Sequence, residues 1–423
     1  MRRLGLVLTS GLTILASVAC AGAPASAPAS APAGAPASGS QPAPAAPAAK
    51  ETQAPPKPGG AAVPGDAKVV KFFGINALTG QSAAPGLRSA HGAELAAKVI
   101  NDRGGFTDTC GNKYRVEVSS NDMANDRNQA ISLTRAAAGD SSVLAVIGPS
   151  PSTGFVPMVP VAAQFKIPIM GAGTGAPIKE WNVWSYRSNA VPAVAEPLMV
   201  KTLREKFGFT KLALIYDQTQ DGQVGAATVL RDKAGELGYE VVAFEAFRGG
   251  DQDFTTQLTK IKQTGVEWIG VYGAPPELAK VSRQIADLGI KAKTFTGFGN
   301  FQDPVTWDLA GGANKGAFNW SDFNLKSSDS KMSEFVNGYK AMHNGEEPTV
   351  TSGNAYDGIM AYVDAVKRSC TNTDREKFVA ALAKTEGEGL GRFKFQNPPT
   401  GENLSPSIIV TQVTARGEFE VVK

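Results

Sequence analysis

From residue 69 onward, short apolar runs alternate with longer stretches of helical spacing. Residues 69–75 (Val-Val-Lys-Phe-Phe-Gly-Ile) read as a buried strand. Residues 87–103 place Ala93, Ala96, Ala97 and Ile100 on one helical face, and Gly104-Gly105 stops that helix because glycine tolerates the left-handed cap conformation. Residues 114–119 alternate like a strand, 125–138 read as a helix, and 143–147 (Val-Leu-Ala-Val-Ile) as another buried strand. A helix to Phe165 and a strand over 167–170 follow. The rhythm restarts at Lys211, with strands over 212–216, 240–244 and 268–272 and helices over 224–237, 254–263 and 277–288. Helices near 330–343, 354–369 and 374–384 come next, then strands over 391–395, 407–413 and 419–422 that are expected to close a sheet. Strands separated by single helices imply parallel sheets with helices on both faces, and two such series imply two doubly wound α/β lobes.

In open parallel sheets, ligands bind beyond the carboxyl ends of the strands. The strand-end loops of the first series carry Thr79, Gln81, Ser82, Ser150, Ser152, Thr153, Gly173 and Thr174. Those of the second carry Asp217, Asp221, Ala274 and Pro275. Amides at the following helix N-termini can hold an anion or a carboxylate. Each Ser or Thr alone is equally suited to capping its own helix; the candidate site rests on several such loops gathering at one sheet edge.

The first 67 residues stand outside this pattern. Arg2 and Arg3 precede an apolar stretch over 4–18, which fits a signal-peptide core and is shorter than the ~20 residues of a comfortable membrane span. It ends at Ser17-Val18-Ala19-Cys20, similar to a bacterial lipobox in which Cys20 receives lipid, although Ser17 stands where that pattern usually has Leu. Ordinary cleavage after a small-x-small site is the competing reading. Ala/Pro repeats then run to about Gly65 with almost no large apolar side chains, so this stretch cannot build a core and acts as an extended spacer. The expected division is a signal peptide over 1–19 and a lipid-anchor Cys with disordered linker over 20–67.

The ordered part resembles the type I periplasmic solute-binding proteins of the leucine/isoleucine/valine family. The resemblance is carried by Ile75-Asn76-Ala77-Leu78-Thr79-Gly80, Ile100-Asn101-Asp102-Arg103-Gly104-Gly105, Val146-Ile147-Gly148-Pro149-Ser150, Lys166-Ile167-Pro168-Ile169, Tyr186-Arg187, Gly250-Asp251-Gln252-Asp253-Phe254 and Tyr356-Asp357-Gly358. These pieces occur in order across nearly all of residues 68–423. The resemblance implies three crossovers between the lobes, near 188–191, 321–325 and 386–390. Lobe 1 would comprise 68–189 plus 323–388, and lobe 2 190–322 plus 389–423. It also implies that Ser150 to Thr153, with Gly173 and Thr174, would hold a ligand carboxylate. In the second lobe the chain departs from the family pattern. Asp221 precedes Gly222 where a Tyr is usual, Ala274-Pro275-Pro276-Glu277 lacks the Tyr before Pro-Glu, and the loop expected to hold an ammonium-binding acid reads Gly297-Phe298-Gly299-Asn300-Phe301. These departures weigh against a free α-amino acid. Asp221 is suited either to replace the acid or to cap its helix, and Phe298 and Phe301 either to line the pocket or to pack in the core.

Composition adds mainly exclusions. Hydrophobic residues make up 42% and charged residues 19%, the balance of a globular chain. Lys and Arg number 42 against 39 Asp and Glu; without Arg2 and Arg3 the net charge is +1, which gives no support for nucleic-acid binding. The two histidines, His91 and His343, are far apart in sequence and no HExxH or zinc-like Cys/His spacing occurs, so neither metal nor cofactor is expected. The run Gly171-x-Gly173-x-Gly175 lacks dinucleotide-loop spacing, and Gly148-Pro149-Ser150-Pro151-Ser152 lacks the last glycine of a nucleophile elbow, so no enzyme is expected. Cys110 and Cys370 either form a disulfide in an exported protein or stand as two thiols. The expected function is the extracytoplasmic binding component of an ABC importer, closing two lobes on an amino acid, an amide or a small carboxylic acid. The expected partners are the permease subunits, and a lipid-anchored monomer on the outer face of the cytoplasmic membrane or in the periplasm is expected. The alternative is a receptor of the same fold that signals to a membrane kinase or chemoreceptor.

Overall fold

The structure, a computed structural model, describes residues 65–422. The proposed signal peptide, Cys20 and nearly all of the linker lie outside the described residues. The first lobe opens with β1 (Lys68–Asn76), α1 (Ala83–Asp102), β2 (Phe106–Thr107), β3 (Lys113–Asp122), α2 (Arg127–Gly139), β4 (Val143–Ile147), α3 (Ser152–Phe165), β5 (Ile169–Gly171) and β6 (Ser185–Arg187). The second continues with α4 (Pro192–Phe207), β7 (Lys211–Asp217), α5 (Asp221–Asp232), α6 (Ala234–Leu237), β8 (Glu240–Phe247), α7 (Thr255–Gln263), β9 (Trp268–Tyr272), α8 (Pro275–Asp287), β10 (Lys293–Thr296), α9 (Pro304–Ala310) and β11 (Phe318–Ser321). Then come α10 (Ser330–Met342), α11 (Val350–Ser369), α12 (Arg375–Leu382), β12 (Glu386–Glu388), β13 (Arg392–Lys394), β14 (Ile409–Ala415) and β15 (Glu418–Val421).

One sheet has the order β2-β3-β1-β4-β5-β6 and the other β15-β14-β11-β10-β9-β7-β8. Omitting the antiparallel additions β2, β14 and β15, both sheets share one parallel order: second strand, first, third, fourth, fifth. The chain direction of the connections therefore reverses between β1 and β4 in one lobe and between β7 and β9 in the other. Such a reversal leaves a crevice at the carboxyl ends of those strands, because the helices that follow them depart to opposite faces. Sequence dictates these central strands: every residue of Val143–Ile147 and of Trp268–Tyr272 is buried, as expected for strands covered on both faces. In α8, Leu278, Val281, Ser282 and Ile285 form the buried stripe, and Pro275 occupies the first turn where a missing N–H costs nothing.

Helix α4 and the strands β6, β10 and β11 go unread in the periodicity. Pro192 at the start of α4 and Gly208 in the left-handed region at its end are ordinary boundary signals, but Pro197 inside the helix masks them. A second difference concerns the chain after Glu388. Residues 391–395 were expected to join the closing sheet, and 389–423 to belong to lobe 2. Instead β13 pairs only with β12, and Phe393 and Phe395 are buried in the first-lobe core. Asn397 donates to Asn182 O at 2.9 Å, Arg187 N donates to Gly401 O at 2.8 Å, and Asn403 donates to Ser188 O at 3.1 Å. Two buried Phe rings stabilise by roughly 1.5–3 kcal/mol each, far more than a two-residue edge pairing can offset. The return to the second lobe therefore falls after Asn403, where Ile408 and Val410 pack on the second-lobe core.

Cys110 and Cys370 are joined by a disulfide that ties the β2–β3 turn to the end of α11 across 260 residues of sequence. Asp108 shapes that turn by accepting the amides of Cys110 and Asn112 at 2.9 and 2.8 Å. Replacing both cysteines with Ser is expected to lower the unfolding free energy by about 2–5 kcal/mol. The check is the urea midpoint under non-reducing conditions; an unchanged midpoint would show that packing alone holds this corner.

Candidate functional site

The loops leaving the carboxyl ends of both sheets face each other and enclose a cavity of about 70 Å³. The first lobe contributes Ser82 and Pro85 after β1, Ser150, Pro151 and Ser152 after β4, and Gly173 and Gly175 after β5. The second contributes Gln220, Gly222 and Gln223 after β7, Ala274 and Pro275 after β9, and Phe298 and Asn300 after β10. Val350, Thr351 and Asn354 at the start of α11 complete the wall. Four of these loops end the strands that flank the two reversal points.

Ser152 is the hub of the first-lobe wall. Its Oγ accepts the amides of Gly175 and Ala176 at 2.8 and 3.0 Å, which leaves its hydroxyl proton free to donate. The loop it holds is fixed from the other side by Asn189, whose Oδ1 accepts the amides of Gly173 and Thr174 at 2.8 and 3.1 Å. Phe298 adopts φ 57°, a left-handed backbone that costs a non-glycine residue energy and therefore draws attention to its placement. Its ring packs against Trp320 with centroids 4.6 Å apart and planes tilted by 51°, and lines the cavity.

Of the residues anticipated at the site, Ser82, Ser150, Ser152, Gly173, Ala274, Pro275 and Phe298 line the cavity. Six anticipated residues do not. Thr79 is exposed and its Oγ1 donates to Asp122 at 2.5 Å, closing its own loop. Thr174 is wholly buried behind the loop that Asn189 holds. Thr153 is buried beside Asn125 and Gln220 at 3.4 and 3.5 Å. Gln81 donates to Asp217 at 3.2 Å across the lobes, beside the cavity rather than in it. Asp221 pairs with Arg127 at the rim, and Phe301 is fully buried in a second-lobe core. The wall residues missed by sequence reasoning include Gln220, Gln223, Asn300, Thr351 and Asn354. Gln220 and Gln223 flank the anticipated Asp221, and Asn300 lies in the anticipated Gly297–Phe301 loop. No periodic signal brings the first turns of α11 to the strand ends; only the return of the chain to the first lobe does.

The polar contacts between the lobes beside the cavity are long: Gln81 donates to Asp217 at 3.2 Å, Gln220 to Gln81 at 3.4 Å and Thr153 to Gln220 at 3.5 Å. A Cβ on Gly175 would come within 2.4 Å of the Phe298 ring, and one on Gly222 within 3.1 Å of Ser152 Oγ, so bare backbone is what permits this approach. Arg127 and Asp221 form a 2.6 Å ion pair, with side chains 48% and 35% exposed, which contributes only ~0–1 kcal/mol. Asp217 keeps its bonds to Thr219 and to Gly249 N, at 2.6–3.0 Å, within its own lobe. Opening the lobes therefore breaks little polar structure.

A model of the periplasmic binding protein family matches residues 70–418. The chain belongs to the periplasmic binding protein family. It is 29% identical over 313 residues to a Leu/Ile/Val-binding protein homolog 1 of Brucella abortus, covering 73% of this chain and 81% of that one. Among solved structures, a leucine binding protein LivK from Thermotoga maritima superposes with TM-score 0.74 at 25% identity, covering 83% and 97% of the two chains. A branched-chain amino acid transporter substrate binding protein LivJ from Streptococcus pneumoniae, in complex with isoleucine, gives TM-score 0.73 at 24% identity over 84% and 100%. The chain shares the two-lobed type I fold of these proteins, and it is a solute-binding protein rather than an enzyme.

In this periplasmic binding protein, His91 and His343, distant in sequence, stack with ring centroids 3.8 Å apart and planes 11° from parallel. With Glu346 they form a cluster of metal-ligand type. Near-parallel stacked rings do not aim their nitrogen lone pairs at one point, and Glu346 is engaged by Arg88 and by His91 Nδ1. The arrangement thus reads as an aromatic and ionic clasp between α1 and the loop before α11. Behind the second-lobe wall, Glu196 accepts Tyr272 Oη at 2.6 Å and Trp320 Nε1 at 2.7 Å; burial pushes its carboxyl up to about 7 against those two bonds.

At the hinge, Asp322 accepts Ala190 N at 2.7 Å and Asn354 Nδ2 at 3.0 Å, joining both early crossovers to the cavity wall. Burial raises the Asp322 carboxyl to about 7, opposed by those two hydrogen bonds. The folded protein holds this proton up to about pH 7, whereas the unfolded chain releases it near 3.8. The associated stability is present below the unfolded value and is lost as pH rises through the folded one. Wild-type melting temperature is therefore expected to fall between pH 5 and pH 8 more steeply than that of Asp322→Asn. Parallel curves from differential scanning calorimetry would remove Asp322 from the balance.

Proposed function

We propose that this chain is the extracytoplasmic binding component of an ABC importer. It closes its two lobes on a small organic solute and presents the closed form to the permease subunits. The observation that carries the reading is the cavity itself: both lobes wall it, at the carboxyl ends of both sheets, with few contacts holding it shut. A ligand touching both walls supplies the missing attraction and shifts the population toward closure. The solute class is an amino acid, an amide or a small carboxylic acid; the relatives whose names specify leucine, isoleucine or valine binding support the first of these. In this reading the protein acts as a monomer, and the segment ending at Cys20 exports it and anchors it through lipid, with the Ala/Pro stretch as spacer.

A thermal-shift screen over these solute classes tests the function. A true ligand at ~100 times its dissociation constant stabilises the fold by ~2.7 kcal/mol. The same ligand should reduce the radius of gyration in solution scattering, and Ser150→Ala should weaken binding about tenfold while leaving the unliganded melting temperature within a degree or so, given one lost hydrogen bond to the solute. A screen in which no solute stabilises the protein or compacts it defeats the receptor reading. Anchoring is tested separately by Cys20→Ala, which is expected to release the protein from membranes into the soluble fraction; retention would refute lipidation at Cys20.

A further inference from the structure

Among the described residues, the side chains that wall the cavity are all uncharged. The nearby carboxylates are committed elsewhere: Asp221 to Arg127 at the rim, Asp217 to Gln81 and Thr219, and Asp322 to the hinge. A ligand cation would therefore be buried without a counter-charge, a desolvation cost of several kcal/mol that neutral acceptors repay poorly. An anion is placed differently. Helices α3 and α5 both begin at the cavity and neither is capped by a side chain; α3 has no acid in its first turn, while Asp221 in the first turn of α5 is paired with Arg127, so the positive end of α3 above all faces the solute.

Asn354 supplies the second, independent observation. It lies on the wall and is 1% exposed. Its Nδ2 is spent on Asp322 Oδ2 at 3.0 Å, while the other oxygen of Asp322 accepts Ala190 N. With Asp322 ionised, that carboxylate can only accept, which sets the sense of the amide and leaves the acceptor Oδ1 buried and without a partner. A buried orphan acceptor is destabilising, a penalty that a ligand donor would remove. A wall built to accept a hydrogen bond also discriminates against analogues that lack the donor.

Resting on the receptor reading above, we infer that the solute is a small carboxylate carrying an uncharged hydrogen-bond donor, a hydroxyl or an amide N–H, and that Asn354 Oδ1 receives that donor. The carboxylate faces the starts of α3 and α5, and the apolar remainder lies toward Phe298 and Val350. Asn354 is then a specificity residue on α11, and its bond through Asp322 to Ala190 connects occupancy of the cavity to the crossovers.

The test compares three compounds of one carbon skeleton by isothermal titration calorimetry on the full chain at pH 8, where Asp322 is ionised. They are 2-hydroxy-4-methylpentanoate, leucine and 4-methylpentanoate, which differ only at the second carbon. The hydroxy acid is expected to bind at least tenfold more tightly than either of the others. Asn354→Ser should weaken the hydroxy acid about tenfold more than it weakens 4-methylpentanoate. The wild-type comparison needs no variant, so a poorly folding Asn354→Ser does not spoil it. Leucine binding as tightly as the hydroxy acid overturns the inference, as does a hydroxy acid indifferent to Asn354→Ser. Failure of all three compounds also overturns it, while the receptor reading stands as long as another solute of the broader screen stabilises the fold.

Discussion

A parallel sheet covered by helices on both faces has one place where polar backbone can meet a solute: the carboxyl edge, at the point where the connections reverse direction. Here two sheets of the same strand order meet at that edge. The positions of Ser82, Ser150, Gln220 and Ala274 follow from this geometry, since each ends a strand beside a reversal point. A single sheet would offer an open crevice. Two opposed sheets offer an enclosure whose walls belong to separately packed cores.

Because the cores are separate, the two walls are joined only through the crossovers and the contacts across the gap. Several buried polar groups are bonded within their own lobe: Asp217 within its loop, Ser152 with the amides of Gly175 and Ala176, and Glu196 between Tyr272 and Trp320. Across the gap run the Gln81–Asp217 bond, two longer bonds from Gln220 to Gln81 and from Thr153 to Gln220, and an exposed ion pair. The crossovers are different. Asp322, buried and bonded to Ala190 and Asn354, ties two passages of the chain to the helix that forms part of the cavity wall. Asp357 ties that same helix to Leu390 and Gly391 through 2.7 and 2.9 Å bonds. The short, buried bonds thus lie at the crossovers, and the longer or exposed ones at the rim.

The chemistry of the wall is a separate matter from family membership. Where an acid for an ammonium was expected on the loop after β10, the chain places Phe298 in a left-handed conformation over Trp320. The two acids nearest in sequence or space, Asp221 and Asp322, are bound to Arg127 and to the hinge. Family membership and solute identity are therefore distinct questions here: the first depends on the order of elements, the second on a handful of side chains in their loops.

Periodicity along the chain was sufficient to reveal two α/β series, because buried parallel strands are continuous apolar runs and their helices carry one apolar stripe. The same pattern pointed to the strand-end loops, and seven of the anticipated residues reach the cavity. Sequence could not separate Thr79, which serves its own turn, from Ser82 three residues later, since both are polar loop residues and only direction distinguishes them. Nor could it assign Phe393 and Phe395 to the first lobe, or bring Asn354 and Thr351 to the wall, because those placements depend on which core a returning segment packs against. Local composition determines which element forms; the burial of a few large side chains after a long excursion decides where that element goes.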